Sequence, residues 1–314
     1  MSKKIIILAV CCLLCFSQLN GLCKADDGVN IEEIDISVTL IPVRDSEYCY
    51  TFSTNSKSQI DRIMHMLDAI DYVDDGKMMG GADIPTVDIT LKRADNTVDR
   101  CGFINGRFYD SEKQYAVEKN EYTRFLDFIY ALKTGKLVLD DATFQPSPWA
   151  ESAIEQAVDK GLIPKLNQIN YTGKINRLEV CQIIDNFLRK QNIAETDISK
   201  NVFSDTRDES VIRLYEKGII KGRSDDEFCP YDAVTREEFA TILKRVLDVT
   251  GISGEAGSGS VYNDDSEIAE WAKESVESVC AQGIMIGDTD GNFRPKSAVT
   301  KEEAVSALLR ITER

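Results

Sequence analysis

The sequence predicts two folded parts, a small α+β domain followed by an all-helical array of three repeats. In the N-terminal half, apolar residues alternate over short segments, which is typical of half-buried strands. In the C-terminal half a four-residue sequence occurs three times, as Asn176-Arg177-Leu178-Glu179, Thr235-Arg236-Glu237-Glu238 and Thr300-Lys301-Glu302-Glu303. Because one copy cannot bury its apolar face alone, we expect the copies to stack on one another.

Residues 1–25 have the pattern of a secretory signal peptide. Lys3 and Lys4 precede an apolar run from 5 to 16, and a polar stretch leads to position 25. A membrane anchor is the weaker alternative, since this run is shorter than the roughly 20 residues that span a bilayer. Lipid attachment at Cys23 is a further alternative, although Leu22 stands where a lipobox has Gly or Ala. We therefore expect a secreted protein without a stable membrane span.

The charge of the chain after residue 25 is strongly negative. It contains 34 basic and 53 acidic residues, a net charge of −19. Such an excess argues against nucleic acid or an anionic membrane as the main partner. An acidic ligand would therefore need a local basic pocket.

Residues 26–140 are predicted to form one sheet with two covering helices. Strands are expected at 34–41, 48–52 and 87–91, and Asn105-Gly106 is typical of a two-residue hairpin loop. Helical spacing predicts helices from Thr54 or Asn55, either of which can cap the first one, to 72, and over 121–132. Cys49 and Cys101 both lie on strand-like segments, and their pairing stays open because spacing alone does not fix connectivity.

This domain shows no pattern of catalytic residues in its sequence. His65 is the only histidine of the chain and lies off the apolar face of its helix. No serine stands in a nucleophile elbow and no glycine loop is built for phosphate. We expect no catalytic residue, no cofactor and no metal, and the sequence indicates no ligand for residues 26–140.

The helical array divides into copies at 145–190, 200–248 and 260–312. In each copy a first helix ends at a glycine, and a turn then leads to a second helix that begins at the four-residue sequence. The glycines are Gly161, Gly218 and Gly283. Glycine suits a helix end because it adopts positive φ without strain.

Helix capping explains most of the four-residue sequence. Its first residue, Asn176, Thr235 or Thr300, is a good N-cap, and the glutamate three positions later completes a capping box. The basic residue between them, Arg177, Arg236 or Lys301, is not explained in this way, since a cation opposes the dipole at a helix N-terminus. A salt bridge to a neighbouring carboxylate and anion binding at the helix N-terminus are equally good interpretations of these residues alone.

The repeats resemble the S-layer homology family. The resemblance rests on Trp-Ala at 149 and 271, Gly-Ile-Ile-Lys-Gly from 218, Phe-x-Pro from 228 and 293, and the Thr-Arg-x-Glu sequence. It implies an all-α pseudo-threefold bundle whose grooves hold secondary cell-wall polymer, often bearing ketal-linked pyruvate. It also implies that Arg177 and Arg236, with Lys301 as a substitute, meet the acidic group, while Trp149 and Trp271 pack in the core or line a groove.

The copies depart from the family pattern to different degrees. Copy one lacks the Phe-x-Pro step and copy two lacks the tryptophan. We therefore expect unequal grooves, with Arg236 as the first binding candidate. The leading hypothesis is a non-catalytic protein of the Gram-positive envelope, held on the cell wall by an acidic, pyruvylated polysaccharide. The alternatives are a wall-targeted hydrolase and a protein-assembly module that binds no glycan.

Overall fold

The computed structural model describes residues 31–38, 50–73, 87–104, 107–110, 113–117, 119–137, 145–193, 202–253 and 262–314. The predicted signal peptide, Cys23 and Cys49 lie outside these ranges. The chain divides into two compact units, Met1–Ala142 and Thr143–Arg314, and each is described by itself. Within the described ranges, no helix has the length and hydropathy needed to cross a bilayer.

The N-terminal unit contains a six-stranded sheet in which every neighbouring pair is antiparallel, in the order β2-β1-β3-β4-β5-β6. The strands are β1 Ile31–Val38, β2 Tyr50–Thr54, β3 Val87–Arg93, β4 Val98–Ile104, β5 Arg107–Tyr109 and β6 Gln114–Tyr115. Among the residues of this unit that the structure describes, two helices accompany the sheet, α1 Lys57–Ala69 and α2 Lys119–Lys133. The predicted α+β class is thereby confirmed.

Alternating burial positions the core of this unit. Along β3, Val87, Ile89 and Leu91 are completely buried, while the residues between them are half-buried. The helices add buried apolar residues to this core, among them Ile63 on α1 and Phe125 on α2, whose ring lies 5.3 Å from that of Phe103 on β4. Because one face of each strand is apolar, the register cannot slip by one residue without exposing that face.

The local details of this unit differ in part from the sequence prediction. Ile104 pairs with Arg107, which confirms the two-residue hairpin, although Asn105 and Gly106 themselves lie outside the described residues. The predicted cap of α1 is wrong: Thr54 belongs to β2, and Ser56 stands at the N-cap position without a side-chain cap bond. The Thr54 hydroxyl instead accepts a hydrogen bond from the Ser56 N–H. Cys101 is buried, and its pairing with Cys49 is not tested because Cys49 lies outside the described residues.

The C-terminal unit is helical, with two helices in each copy. The first helices are α3 Glu151–Asp159, α5 Glu209–Glu216 and α7 Lys273–Ala281, and the second are α4 Arg177–Lys190, α6 Arg236–Thr250 and α8 Lys301–Thr312. Gly161, Gly218 and Gly283 follow the first helices with φ of 61°, 71° and 63°. The predicted glycine ends are therefore confirmed, since only a residue tolerant of the left-handed region ends a helix this way.

All three second helices carry the predicted capping box. The side chains of Asn176, Thr235 and Thr300 accept hydrogen bonds from the backbone N–H of Glu179, Glu238 and Glu303, whose carboxylates accept from the cap residue's own N–H. Each box satisfies two backbone donors that the first helical turn leaves free. The capping prediction holds in every copy.

The copies meet through the residues that precede the caps. The N–H of Ile175 donates to the carbonyl of Val299, Val299 donates to Val234, and Val234 donates to Ile175, at N–O distances of 2.9, 2.9 and 3.3 Å. Each first helix also packs against the second helix of another copy, α5 on α4, α7 on α6 and α3 on α8. The contacts therefore form a closed cycle in which copy three meets copy one.

Candidate functional site

The basic residues of the four-residue sequences lie at the joints between copies. Arg177 begins α4, and its guanidinium reaches into copy two. Its Nε donates to the Phe228 carbonyl at 2.8 Å and its Nη2 donates to the Lys221 carbonyl at 2.6 Å. Its Cζ lies 4.3 Å from the centre of the Phe228 ring. Burial, and then the like charge of Arg223, lower the pKa of Arg177.

Arg236 makes the same contacts one copy further along. Nε donates to the Phe293 carbonyl and Nη2 to the Ile286 carbonyl, both at 2.7 Å, and Nη1 donates to Glu303 Oε1 at 2.9 Å. A guanidinium has five N–H donors, so these three bonds leave two for a ligand. The Arg236 side chain is 11% exposed, which makes it the least buried of the three joint residues.

Lys301 closes the cycle from copy three to copy one. Its Nζ donates to the Ile169 carbonyl at 2.7 Å and to Glu179 Oε1 at 2.9 Å. The residue is only 1% exposed, so a ligand does not reach it in this arrangement. The salt-bridge interpretation therefore holds for Arg236 and Lys301, whose partners are the cap glutamates of the next copy.

The two tryptophans lie at the surface and outside the core. Trp149 is 58% exposed and Trp271 is 59% exposed. Each stands directly before the alanine at the N-cap of its first helix, α3 or α7. Of the two locations that the resemblance allows, core or groove wall, the structure excludes the core.

Trp149 and Arg236 line one groove together, which we call the Trp149 groove. Its volume is about 450 Å³, and residues of all three copies contribute. Trp149 comes from copy one, Arg236 and Phe239 come from copy two, and the other lining residues come from copy three. Its charged residues and its exposed apolar residues are Trp149, Arg236, Ile286, Asp288, Arg294, Glu303 and Arg310. Three guanidinium groups therefore face a cavity whose rim carries an exposed indole.

Neither Arg294 nor Arg310 was predicted from the sequence. Arg294 forms an ion pair with Asp288. Arg310 donates from Nη1 to the Ile284 carbonyl at 2.9 Å. The repeats contain a signal for Arg310, because the residue nine positions after each basic residue donates to a backbone carbonyl just after the first helix of its copy. Arg245 donates likewise to the Ile219 carbonyl at 3.1 Å, and Asn186 to the Leu162 carbonyl at 2.8 Å.

The junction between copies one and two is filled by side chains. Asn167 Nδ2 donates to Gln182 Oε1, and Gln182 Nε2 donates to Asp208 Oδ2, both at 3.0 Å. These three residues are at most 5% exposed. Arg207 occupies the position that tryptophan has in the other copies, directly before the N-cap of α5. This junction therefore lacks the aromatic wall and has a polar network in its place.

The junction between copies two and three differs again. Trp271 belongs to it through α7, which packs on α6. Within copy two, Arg223 forms ion pairs with Glu238 and, at 3.6 Å, with Asp232. Arg177 contacts copy two, Trp271 belongs to copy three, and neither lines the Trp149 groove, so the five predicted site residues do not form one site.

The comparison with known families agrees with the repeats. The model of the S-layer homology domain matches residues 204–240 and 261–305. The chain contains S-layer homology domains. Copy one lies outside the matched residues, although it has the same two helices, glycine end and capping box. Such domains bind secondary polymers of the cell wall and anchor surface proteins to it, so this S-layer homology protein belongs to the cell surface.

Three relatives illustrate the range of proteins that share this region. The surface-layer 125 kDa protein of Lysinibacillus sphaericus is 31% identical over 53% of this chain and 14% of its own length. The exoglucanase XynX of Acetivibrio thermocellus is 28% identical over 53% of this chain and 16% of its own. The cellulosome-anchoring protein of the same organism is 27% identical over 45% and 33%. The chain therefore spans a third or less of these proteins.

Proposed function

We propose that this S-layer homology protein is a non-catalytic, exported envelope protein anchored non-covalently to an acidic, pyruvylated secondary wall polymer. The observation that carries the proposal is the Trp149 groove, in which an exposed indole and three guanidinium groups converge. In a chain of this negative charge, such a pocket is what an acidic ligand requires. We further propose that the three copies form a pseudo-threefold bundle, in keeping with their cyclic backbone contacts.

The groove chemistry suits a sugar that carries a carboxylate. The apolar face of a pyranose ring packs on an indole, and Trp149 exposes its ring beside Ile286, which is itself 58% exposed. A guanidinium holds a carboxylate through paired N–H donors more firmly than an ammonium does. The groove therefore offers one wall for the ring and a cationic floor for the pyruvate ketal.

The five predicted residues are not equivalent in this proposal. Trp149 and Arg236 serve the leading groove. Trp271 and Arg177 lie outside this groove, and the Arg177 side chain is enclosed by copy two. Lys301 supports the bundle from inside and is the weakest candidate for ligand contact, because its ammonium is buried and bonded.

The remaining parts of the proposal concern the N-terminal half. Residues 1–25 act as the signal peptide, and residues 26–140 form a module that the anchor presents at a Gram-positive surface. The lack of a nucleophile motif and the single histidine support a non-catalytic module. Because relatives include an exoglucanase, a screen of the full chain on glycans and peptides is the matching test. We expect no turnover, and turnover would favour the wall-targeted hydrolase.

A polymer pull-down tests the anchoring proposal. The full mature chain is incubated with purified wall polymer, either native or freed of pyruvate by mild acid. We expect binding to the native polymer only, and loss of binding in Trp149→Ala and Arg236→Ala. Trp271→Ala is the matched control, because it removes an equally exposed indole from the other junction, and we expect a smaller loss.

Two results would contradict the proposal. Equal binding of native and depyruvylated polymer would remove the acidic group from recognition. Unchanged binding by Trp149→Ala would remove the groove. Arg236→Ala also breaks bonds between copies, so its thermal unfolding is measured beside the pull-down. Self-association of the chain without polymer binding would favour the assembly-module alternative.

A further inference from the structure

The three arginines of the Trp149 groove differ in how far their donors are already used. Arg236 donates three hydrogen bonds, two to backbone carbonyls and one to Glu303. Arg294 pairs with Asp288, and its Nη2 lies 3.9 Å from Asp290. Among the described residues, Arg310 makes one hydrogen bond, from Nη1 to the Ile284 carbonyl. Arg294 and Arg310 thus each keep four guanidinium donors, against two for Arg236, and of the two only Arg310 has no ion pair among the described residues.

The charge of Arg310 is also poorly compensated. Burial lowers the pKa of Arg310, and the opposing effect comes from Glu313. Arg236 and Arg294, in contrast, each have a carboxylate within ion-pair distance. A partly desolvated cation without a close counter-ion gains more from an incoming carboxylate than a cation that is already paired.

Ser306 adds a second donor on the same side of α8. It precedes Arg310 by four residues, so both side chains lie on one face of the helix, about 5–6 Å apart at their Cβ atoms. Ser306 lines the groove and is 4% exposed. Its hydroxyl is buried without a hydrogen-bond partner among the described residues. A buried hydroxyl of this kind is costly unless a ligand supplies the partner.

This combination is confined to copy three among the described helices. In copy two, Arg245 corresponds to Arg310, but the Thr241 hydroxyl four residues earlier already donates to the Glu237 carbonyl at 2.9 Å. In copy one, the corresponding residues are Asn186 and Gln182, and both amides are bonded within the protein. The pairing of a sparsely bonded arginine with an unbonded hydroxyl thus coincides with the groove that carries Trp149.

We propose that Arg310 and Ser306 receive the carboxylate of the wall polymer, while Arg236 serves mainly as a joint between copies two and three. This assignment rests on the proposed function of the groove. One carboxylate oxygen accepts from the Arg310 guanidinium and the other from the Ser306 hydroxyl, which rotates to suit its acceptor. Arg310 and Ser306 thereby determine whether the groove distinguishes an acidic from a neutral glycan.

The test compares affinities of the full mature chain for native polymer and for the same polymer after removal of pyruvate. We expect Arg310→Gln to lower the ratio of the two affinities by about ten- to hundredfold and Ser306→Ala by about fivefold. Arg245→Gln is the matched control, because it removes the same type of bond to a carbonyl in copy two. We expect it to leave the ratio unchanged.

The outcomes separate this inference from the proposed function. If the wild-type chain does not distinguish the two polymers, the proposed function fails. If it does, and Arg310→Gln still distinguishes them, or Arg245→Gln loses the distinction equally, the assignment to Arg310 is wrong. Thermal unfolding of Arg310→Gln and Arg245→Gln is measured in parallel, and Arg310→Lys, which keeps the charge, is expected to retain part of the ratio.

Discussion

Lys301 Nζ lies 2.9 Å from Glu179 Oε1 and thereby joins the last copy of the array to the first. The other oxygen of the same carboxylate accepts from the Asn176 N–H in the capping box of α4. Glu303 is used in the same two ways, by Arg236 and by the Thr300 N–H. In these two places the basic residue of one copy and the cap glutamate of another form a single joint between the copies.

This joint predicts a large cost for removing the ammonium of Lys301. Lys301→Met leaves Glu179 buried beside an apolar side chain, and breaking one partner of a buried pair costs about 3–5 kcal/mol. Urea unfolding followed by tryptophan fluorescence measures the change, since both tryptophans belong to the C-terminal unit. Lys244→Met is the matched control. Its pair with Asp248 is at the surface, and we expect a loss of about 0.5 kcal/mol. Comparable losses of unfolding free energy in both variants would contradict the proposed contribution of the Lys301–Glu179 pair.

The sequence predicted the part of this arrangement that is local. Capping boxes join residues three positions apart, so Asn176 and Glu179 identify themselves in a short window. The partner of Lys301 is 122 residues away, and no local pattern specifies it. The local pattern also predicted a cap at Thr54, and this prediction is wrong because pairing with β1, which is distant in sequence, holds Thr54 in the sheet. Arg310 and Ser306 were not predicted, because the number of hydrogen bonds that each makes depends on the tertiary structure and not on a local sequence pattern.

A second prediction concerns Glu302, which supports the start of copy one from copy three. Its carboxylate accepts from the Ser147 N–H and hydroxyl, both at 2.8 Å. Because the residue is 4% exposed, these charge-assisted bonds are shielded from water. We expect Glu302→Ala to lower the free energy of unfolding by about 2–3 kcal/mol and Ser147→Ala, which keeps the N–H bond, by about 1 kcal/mol. A larger loss in Ser147→Ala than in Glu302→Ala would contradict this order.

The third prediction is a pH dependence of the Arg223–Glu238 ion pair in copy two. Burial tends to raise the pKa of Glu238, but hydrogen bonds from Arg223 and the Thr235 N–H hold it below its ordinary value of 4.5. A depressed carboxyl pKa contributes stability that is present above the unfolded pKa and is lost as the pH falls through the folded one. We therefore expect Arg223→Gln to be less stable than wild type at pH 7, with a difference that shrinks below about pH 4.5.

Urea unfolding at several pH values measures this difference. Arg223→Lys is the matched variant, because it keeps the positive charge beside Glu238 but loses the planar guanidinium. We expect it to retain most of the stability at neutral pH. A difference between wild type and Arg223→Gln that stays constant from neutral pH to pH 3 would show that the contribution of Arg223 does not depend on ionised Glu238.

The fourth prediction concerns Arg207, where the other copies have tryptophan. If an aromatic wall alone made a groove, Arg207→Trp would create a second binding site between copies one and two. The Asn167–Gln182–Asp208 network occupies this junction, however, and its residues are bonded to one another. We therefore expect Arg207→Trp to add no measurable polymer binding to the Trp149→Ala background, measured by the same pull-down. Recovered binding would contradict this expectation. It would show that a ligand displaces the network and that an indole alone is sufficient for binding at this junction.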